Sequence, residues 1–182
     1  MATINIPLLQ STFTSYGAQN NNYSSLDFIR CGVQSSTSIR YVGHLQFEPL
    51  ANHIPAGSVI NQAVLYLWSY SNSCYSASQL TDVKRNTASF DAASVTYTTR
   101  PATTDTNQGQ ASHSGYNAWY DYIITALVRD WWGGQPDYGV TMIQDNLSTS
   151  VGKCFDKGAE TGHPAYLYVE YTPPTAPTAP AS

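Results

Sequence analysis

The chain has 182 residues, a length at which one all-β domain with a tail is ordinary. Only 11% of its residues are charged, against roughly 25% in an average soluble protein, and eight Lys and Arg within a net charge of −4 cannot build the basic stripe that a phosphate backbone requires. Nucleic acid is therefore not an expected partner, nor is membrane insertion expected, because no apolar run approaches the roughly 20 residues that span a bilayer.

Ser, Thr, Asn and Gln supply the polar surface in place of charge, and Tyr occurs 14 times. This favours strands, since β-branched and aromatic side chains suit a pleated, half-buried surface. In chain order, strand signals fall at 3–8 (TINIPL), 27–33 (DFIRCGV), 39–47 (IRYVGHLQF), 62–70 (QAVLYLWSY), 79–85 (QLTDVKR), 119–124 (WYDYII), 138–143 (YGVTMI) and 165–171 (AYLYVEY). In the fourth, Val64, Tyr66 and Trp68 share one face and Ala63, Leu65 and Leu67 the other, so that strand is apolar on both sides and belongs in the middle of a sheet. The segments 17–25 and 103–115 are rich in Asn, Ser, Thr, Gln and Gly and read as long loops.

One helix is expected at ALVRDWW, with Thr125 as its N-cap, Leu127 over Trp131 and Val128 over Trp132 at i, i+4, and Gly133 and Gly134 as its stop. It is too short to stand alone and must plug an end of the fold. The domain is expected to span 1–171, followed at 172–182 by a Pro-rich linker or arm of polyproline II character. MATINIPLL has neither a basic n-region nor an apolar h-region, so it does not read as a secretory signal. Cys31, Cys74 and Cys154 are too scattered for a metal knuckle; either all three are buried thiols, the favoured reading, or one disulfide leaves one thiol free.

Three ordered motifs carry a resemblance: HLQFEPLANHIPAGSVINQAVLYLW at 44–68, FDAASVTYTTRPA at 90–102 and TALVRDWWGGQPDYGV at 125–140, closed by HPAYLYVEY at 163–171. Together they resemble the DNRLRE domain family, which includes carbohydrate-binding module family 96 and domains related to disaggregatase. Phe90 and Tyr97 stand where that family has tryptophans, Ala92 where it often has Glu, and Ile123 where it often has Asp. The resemblance implies an all-β, jelly-roll-like antiparallel β-sandwich with one short helix, with Trp68, Trp131 and Tyr138 at core positions. It also implies display on secreted enzymes, adhesins or surface polymers, with acidic polysaccharide among the ligands.

No catalytic constellation is visible. Glycoside hydrolysis needs two carboxylates roughly 5 to 10 Å apart, and the few acids here cluster in no recognisable motif. The four histidines show no HxH or HExxH spacing. His44 reads as a satisfied histidine inside a sheet, and His113 and His163 as solvated. No enzymatic activity and no cofactor is expected. Calcium is the one metal considered, through Asp145, Asn146, Asp156 and Glu160 in 144–160; the alternative is that these are solvated loop acids.

The aromatic inventory is the most functional-looking feature, because sugar rings stack their C–H faces on Trp and Tyr. Candidate ligand-binding residues are Tyr75, Tyr116, Trp119, Tyr120 and Trp132. The expected function is a non-catalytic, surface-displayed module for carbohydrate binding or adhesion, extracellular or on a virion, with a polysaccharide or cell-surface glycan as partner. The alternative is a phage structural protein (decoration, fibre or tail-associated), held by neighbouring subunits of a larger assembly.

Overall fold

The computed structural model describes residues 1–33, 39–70, 78–144 and 152–175. Its strands are β1 (Ala2–Ser15), β2 (Phe28–Val33), β3 (Arg40–Phe47), β4 (Val59–Ser69), β5 (Gln79–Asn86), β6 (Thr103–His113), β7 (Ala118–Ile123), β8 (Val140–Ile143), β9 (Lys153–Asp156) and β10 (Tyr166–Thr172), with one α-helix, α1 (Thr125–Trp132), after β7. Every strand pairing among the described residues is antiparallel.

The strands form two sheets around a common core. In the first, β1 pairs with β10 and β10 with β4; the far edge of β4 carries β7 and, at Ser69, β9, which continues to β2. In the second, the order is β1, β3, β8, β5, β6, with the end of β2 also on β3. Two strands turn the corner between sheets. β1 pairs with β10 as far as Pro7 and with β3 from Leu8 onward, and β2 pairs with β9 through Cys31 and with β3 from Gly32. Pro7, with no N–H to give a ladder, stands at the first of these switches. Ile6, Leu65, Leu67, Leu167 and Val169 from one sheet meet Phe13, Leu45, Val83, Val140 and Met142 from the other in one buried cluster. The result is a sandwich-like all-β fold, and no helix among the described residues is long and apolar enough to cross a membrane.

Two strands lie where loops were expected. β6 occupies most of 103–115 and pairs with β5 alone, and an edge strand wetted on much of its surface needs no apolar alternation. β9 lies inside the proposed calcium segment, and its four residues, Lys153, Cys154, Phe155 and Asp156, are all buried, so it too lacks the period-2 signature. β10 runs one residue past the expected domain boundary, pairing Thr172 with Val59. Beyond Thr175 the arm lies outside the described residues.

The helix packs as expected but is anchored differently. Ile124, not Thr125, is the N-cap, and no side chain caps it. The Thr125 hydroxyl instead accepts from the Ala63 amide (3.0 Å) and donates to the Ala63 carbonyl (3.3 Å), fixing α1 to β4. Leu127, Val128 and Trp131 are buried beneath it, and Arg129 donates to the carbonyls of Ile60 and Asn61. Gly134, at φ +103, turns the chain out of the helix.

Cys31 is a free, buried thiol whose pKa burial pushes up to about 12, while Cys154 is disulfide-bonded. The reading of three reduced thiols is thus corrected; Cys74 lies outside the described residues. His44 is the satisfied interior histidine the sequence suggested. The Thr141 hydroxyl gives its hydrogen to Asn86 Oδ1, so it accepts from His44 Nδ1–H at 2.9 Å, and His44 Nε2 accepts from Thr14 Oγ1 at 3.1 Å. Burial, with a smaller effect from Arg100, lowers its pKa to about 3 and keeps the ring neutral.

Candidate functional site

Strand alternation on β4, β7 and β10 puts aliphatic chains on the core side of the first sheet and aromatic rings on its outer side. Leu65 and Leu67 point inward from β4, Leu167 and Val169 from β10, and Tyr120 and Tyr122 from β7. The intervening residues, Tyr66 and Trp68, Tyr166 and Tyr168, and Trp119, are half-buried or exposed. Register brings them together, because Tyr66 lies opposite Tyr166 on one side and Trp68 opposite Trp119 on the other.

The rings form two stacked pairs with a fifth ring set across them. Tyr66 stacks on Tyr166 (centroids 5.1 Å, 26° between planes), and Trp68 stacks on His163 (4.0 Å, 11°). Trp119 meets all four edge-on, with 69° to 90° between planes, at 6.4 Å from Tyr66, 5.3 Å from Tyr166, 5.4 Å from Trp68 and 5.7 Å from His163. Tyr168 extends the cluster edge-on to Tyr66. Trp119 remains 36% exposed at the centre of this arrangement. The hydroxyls of Tyr66, Tyr166 and Tyr168 enter no hydrogen bond among the described residues. Burial, then the neighbouring Tyr66 phenol, holds the Tyr166 hydroxyl above the ordinary tyrosine range, so it stays a donor. A groove of about 270 Å³ between Asn5, Pro7, Lys157, Pro164 and Tyr166 adjoins the rings.

His163 is placed by an acid beneath it. Asp156, at the end of β9, accepts from the amides of Gly158 (2.7 Å), Glu160 (3.2 Å) and Thr161 (2.8 Å) and from the Thr161 hydroxyl. Burial raises its pKa, but the Thr161 hydroxyl and these amides outweigh it, and the carboxyl titrates below its usual range. Having given its hydrogen to Asp156, Thr161 accepts from His163 Nδ1–H at 2.9 Å, which fixes the imidazole against Trp68. Gly158, at φ +111 and with Pro164 only 3.0 Å from where a Cβ would lie, permits the tight loop.

The expected ligand residues separate. Trp119 lies at the hub of the cluster. Tyr120, its neighbour, points into the core with 2% exposure and donates to the Gly115 carbonyl (2.9 Å), as strand alternation requires; it supports the face from behind and cannot meet a ligand. Tyr116 is half-buried in the turn between β6 and β7. Trp132 lies elsewhere, on α1, donating Nε1–H to the Ser58 carbonyl (2.7 Å) beside a groove of about 280 Å³ that also meets Trp131, Leu50 and Asp137. Tyr75, Asp145 and Asn146 fall outside the described residues. Of the other calcium candidates, Asp156 spends both oxygens on its own loop, Glu160 is exposed, and no group of three metal-binding side chains occurs among the described residues.

Trp68 and Tyr138 are half-buried where burial was expected, while Trp131 is buried as expected. His163 and His113 are not simply solvated. His163 stacks on Trp68, and His113 stacks on Tyr120 (4.4 Å, 21°) and donates to the Asp121 carbonyl (2.8 Å). Sequence reasoning missed Tyr66, Trp68, Tyr166, Tyr168 and His163 as a group. The available signal was the pairing of Tyr-x-Trp at 66–68 and Tyr-x-Tyr at 166–168 with Leu-x-Leu and Leu-x-Val on the opposite face.

Comparison with known proteins adds the following. The family profile for carbohydrate-binding module family 96 matches residues 2–170, nearly the whole chain. A stretch of 92 residues, half of the chain, is 32% identical to the tRNA nuclease WapA of Bacillus subtilis (strain 168) and equally to the tRNA(Glu)-specific nuclease WapA of Bacillus subtilis subsp. natto (strain BEST195). That stretch spans only 4% of either relative.

Proposed function

The chain belongs to carbohydrate-binding module family 96, and we propose that it is a non-catalytic, jelly-roll-like module that holds a glycan on the aromatic outer face of its first sheet. The observation that carries this reading is the exposed cluster around Trp119, whose rings are braced by one another and whose three nearby phenols are left for a ligand. Sugar C–H faces stack on such rings and sugar hydroxyls pair with such phenols. Rings already held in place lose little freedom on binding, which favours affinity.

A hydrolytic role is not supported by the acids of this face. Asp121 lies level with Tyr66, and Glu170 level with Gln62 two strands away, a separation of roughly 16 Å from strand spacing and rise, against the 5 to 10 Å that glycosidases use. The reading includes work outside the cell, supported by the disulfide at Cys154, a bond that persists in oxidising compartments. The test is affinity electrophoresis over a panel of polysaccharides with wild type and Trp119→Ala. The substitution is expected to weaken binding by about 2 kcal/mol, roughly thirtyfold in Kd, with near-UV circular dichroism showing the fold intact. Equal retardation of both proteins would remove the site from this face.

A further inference from the structure

The loop after β9 fixes the proton on His163 as well as the position of its ring. Asp156 is a carboxylate, an acceptor only, and the Thr161 hydroxyl has one hydrogen to give, which the charged oxygen takes. The Thr161 oxygen is then left to accept, so the hydrogen between it and His163 Nδ1, 2.9 Å away, belongs to the imidazole. The His163 backbone amide also points to Asp156, at 3.4 Å, and ties the residue to the same carboxylate a second time. A neutral imidazole carries one N–H, and with that hydrogen on Nδ1 the other nitrogen, Nε2, is a bare acceptor. Nε2 has no hydrogen-bond partner among the described residues and is open to solvent.

That lone pair stands beside the hub of the aromatic face. The imidazole is stacked on Trp68 at 4.0 Å and meets Trp119 edge-on at 5.7 Å. The phenols of Tyr66, Tyr166 and Tyr168 can each give or accept a hydrogen, and an O–H rotates to suit whatever group a ligand presents. Nε2 has no such freedom, because Thr161 and Asp156 hold the proton on the far side of the ring, and it pairs only with a donor. We infer that His163 Nε2 accepts a hydrogen bond from a free hydroxyl of the sugar stacked at Trp119, which makes His163 a specificity-determining residue of this face. A methyl ether or an acetyl ester in that place has no hydrogen to give and would bury Nε2 without a partner. Uronates and neutral sugars both carry such hydroxyls, so the contact serves either kind of chain. This inference rests on the reading of that face as the binding site.

The proton is located first, in the free wild-type protein at about pH 8, where imidazoles as a class are uncharged. A long-range nitrogen–proton correlation spectrum is expected to show His163 protonated on Nδ1 and bare on Nε2; a proton on Nε2 would overturn the inference. Native gels containing alginate, polygalacturonate, xylan or galactomannan then compare wild type, Trp119→Ala and His163→Phe. Phenylalanine keeps a flat ring for Trp68 and removes both nitrogens. Expected results are retardation of wild type by at least one polymer, binding about thirtyfold weaker in Trp119→Ala and about three- to tenfold weaker in His163→Phe. An oligosaccharide of the retarding polymer should move the wild-type His163 Nε2 signal with the same Kd as the Trp119 indole signal. Wild-type affinity in His163→Phe while Trp119→Ala is weakened, or an Nε2 signal unmoved at saturation, would overturn the hydroxyl contact and leave the site in place. Retardation indifferent to Trp119, or none in any gel, would overturn the reading of the face itself, and the inference with it.

Discussion

Trp119 and Tyr120 are adjacent in sequence and opposite in role, because one residue of strand register separates solvent from core. Trp119 meets four rings and keeps a third of its surface for a ligand; Tyr120 is sealed behind it. Either aromatic could have been the exposed one on composition alone. What decides is Leu65 and Leu67 on the neighbouring strand, which claim the core face and send Tyr66, Trp68 and Trp119 out. His44 shows a residue whose role was legible, and it makes a prediction of its own. Its folded-state pKa, about 3, lies below the ordinary 6.5, so the unfolded chain binds the extra proton between those values. Stability tied to neutral His44 is therefore complete above about pH 6.5 and declines, by roughly 1.4 kcal/mol per pH unit, as pH falls toward 3. Urea unfolding of His44→Gln should show a flatter acid limb than wild type, and identical slopes would mean that His44 is charged or exposed. Asp137, whose carboxyl burial raises to about 6, acts in the opposite sense in both proteins, losing stability as pH rises through that value, and cancels in the comparison.

At the scale of elements, two short pieces hold the ends of the sandwich. Helix α1 has no side-chain cap and only eight residues, so its stability comes from Leu127, Val128 and Trp131 beneath it and from the bonds tying Thr125 and Arg129 to β4. Trp131→Ala should cost about 3 to 5 kcal/mol in urea unfolding, and an unchanged midpoint would show that the indole is not part of the core. The loop after β9 depends on one carboxylate. Asp156→Asn leaves backbone amides of Gly158 and Thr161 without their charged acceptor and should cost about 1.5 to 3 kcal/mol. The same variant should bind glycan more weakly, because His163 is no longer held on Trp68; wild-type affinity in a destabilised Asp156→Asn would show that the imidazole plays no part in the face. Neither β9 nor β6 could be read from the chain. Strand signals rest on alternation, and β9 is buried on both faces while β6, an edge strand, is mostly polar on both. The helix was legible because its apolar residues repeat at i, i+4 between clear stops, although its capping was not: a threonine at that position bonds equally well to a neighbouring strand.

For the molecule as a whole, the all-β class and most strand positions followed from composition and turn spacing, and the motifs at 44–68, 90–102 and 125–140 pointed to the family that the profile match shows. The binding face did not follow, since it is assembled from three strands whose adjacency is a matter of topology: β10 comes from the end of the chain to lie beside β4, and β7 joins the other edge. The molecule divides its four tryptophans between two regions, Trp68 and Trp119 on the outer face of the first sheet and Trp131 and Trp132 on α1. That division gives the most direct test of the central claim. Each indole N–H provides its own signal in a nitrogen–proton correlation spectrum, so an oligosaccharide that the module binds can be titrated against all four at once. The proposed function predicts that the Trp68 and Trp119 signals move with a common Kd, together with backbone amides around 64–68, 118–121 and 163–168, while the Trp131 and Trp132 signals stay in place. Movement of Trp131 and Trp132 with Trp119 unchanged would contradict it and transfer the site to the groove beside α1.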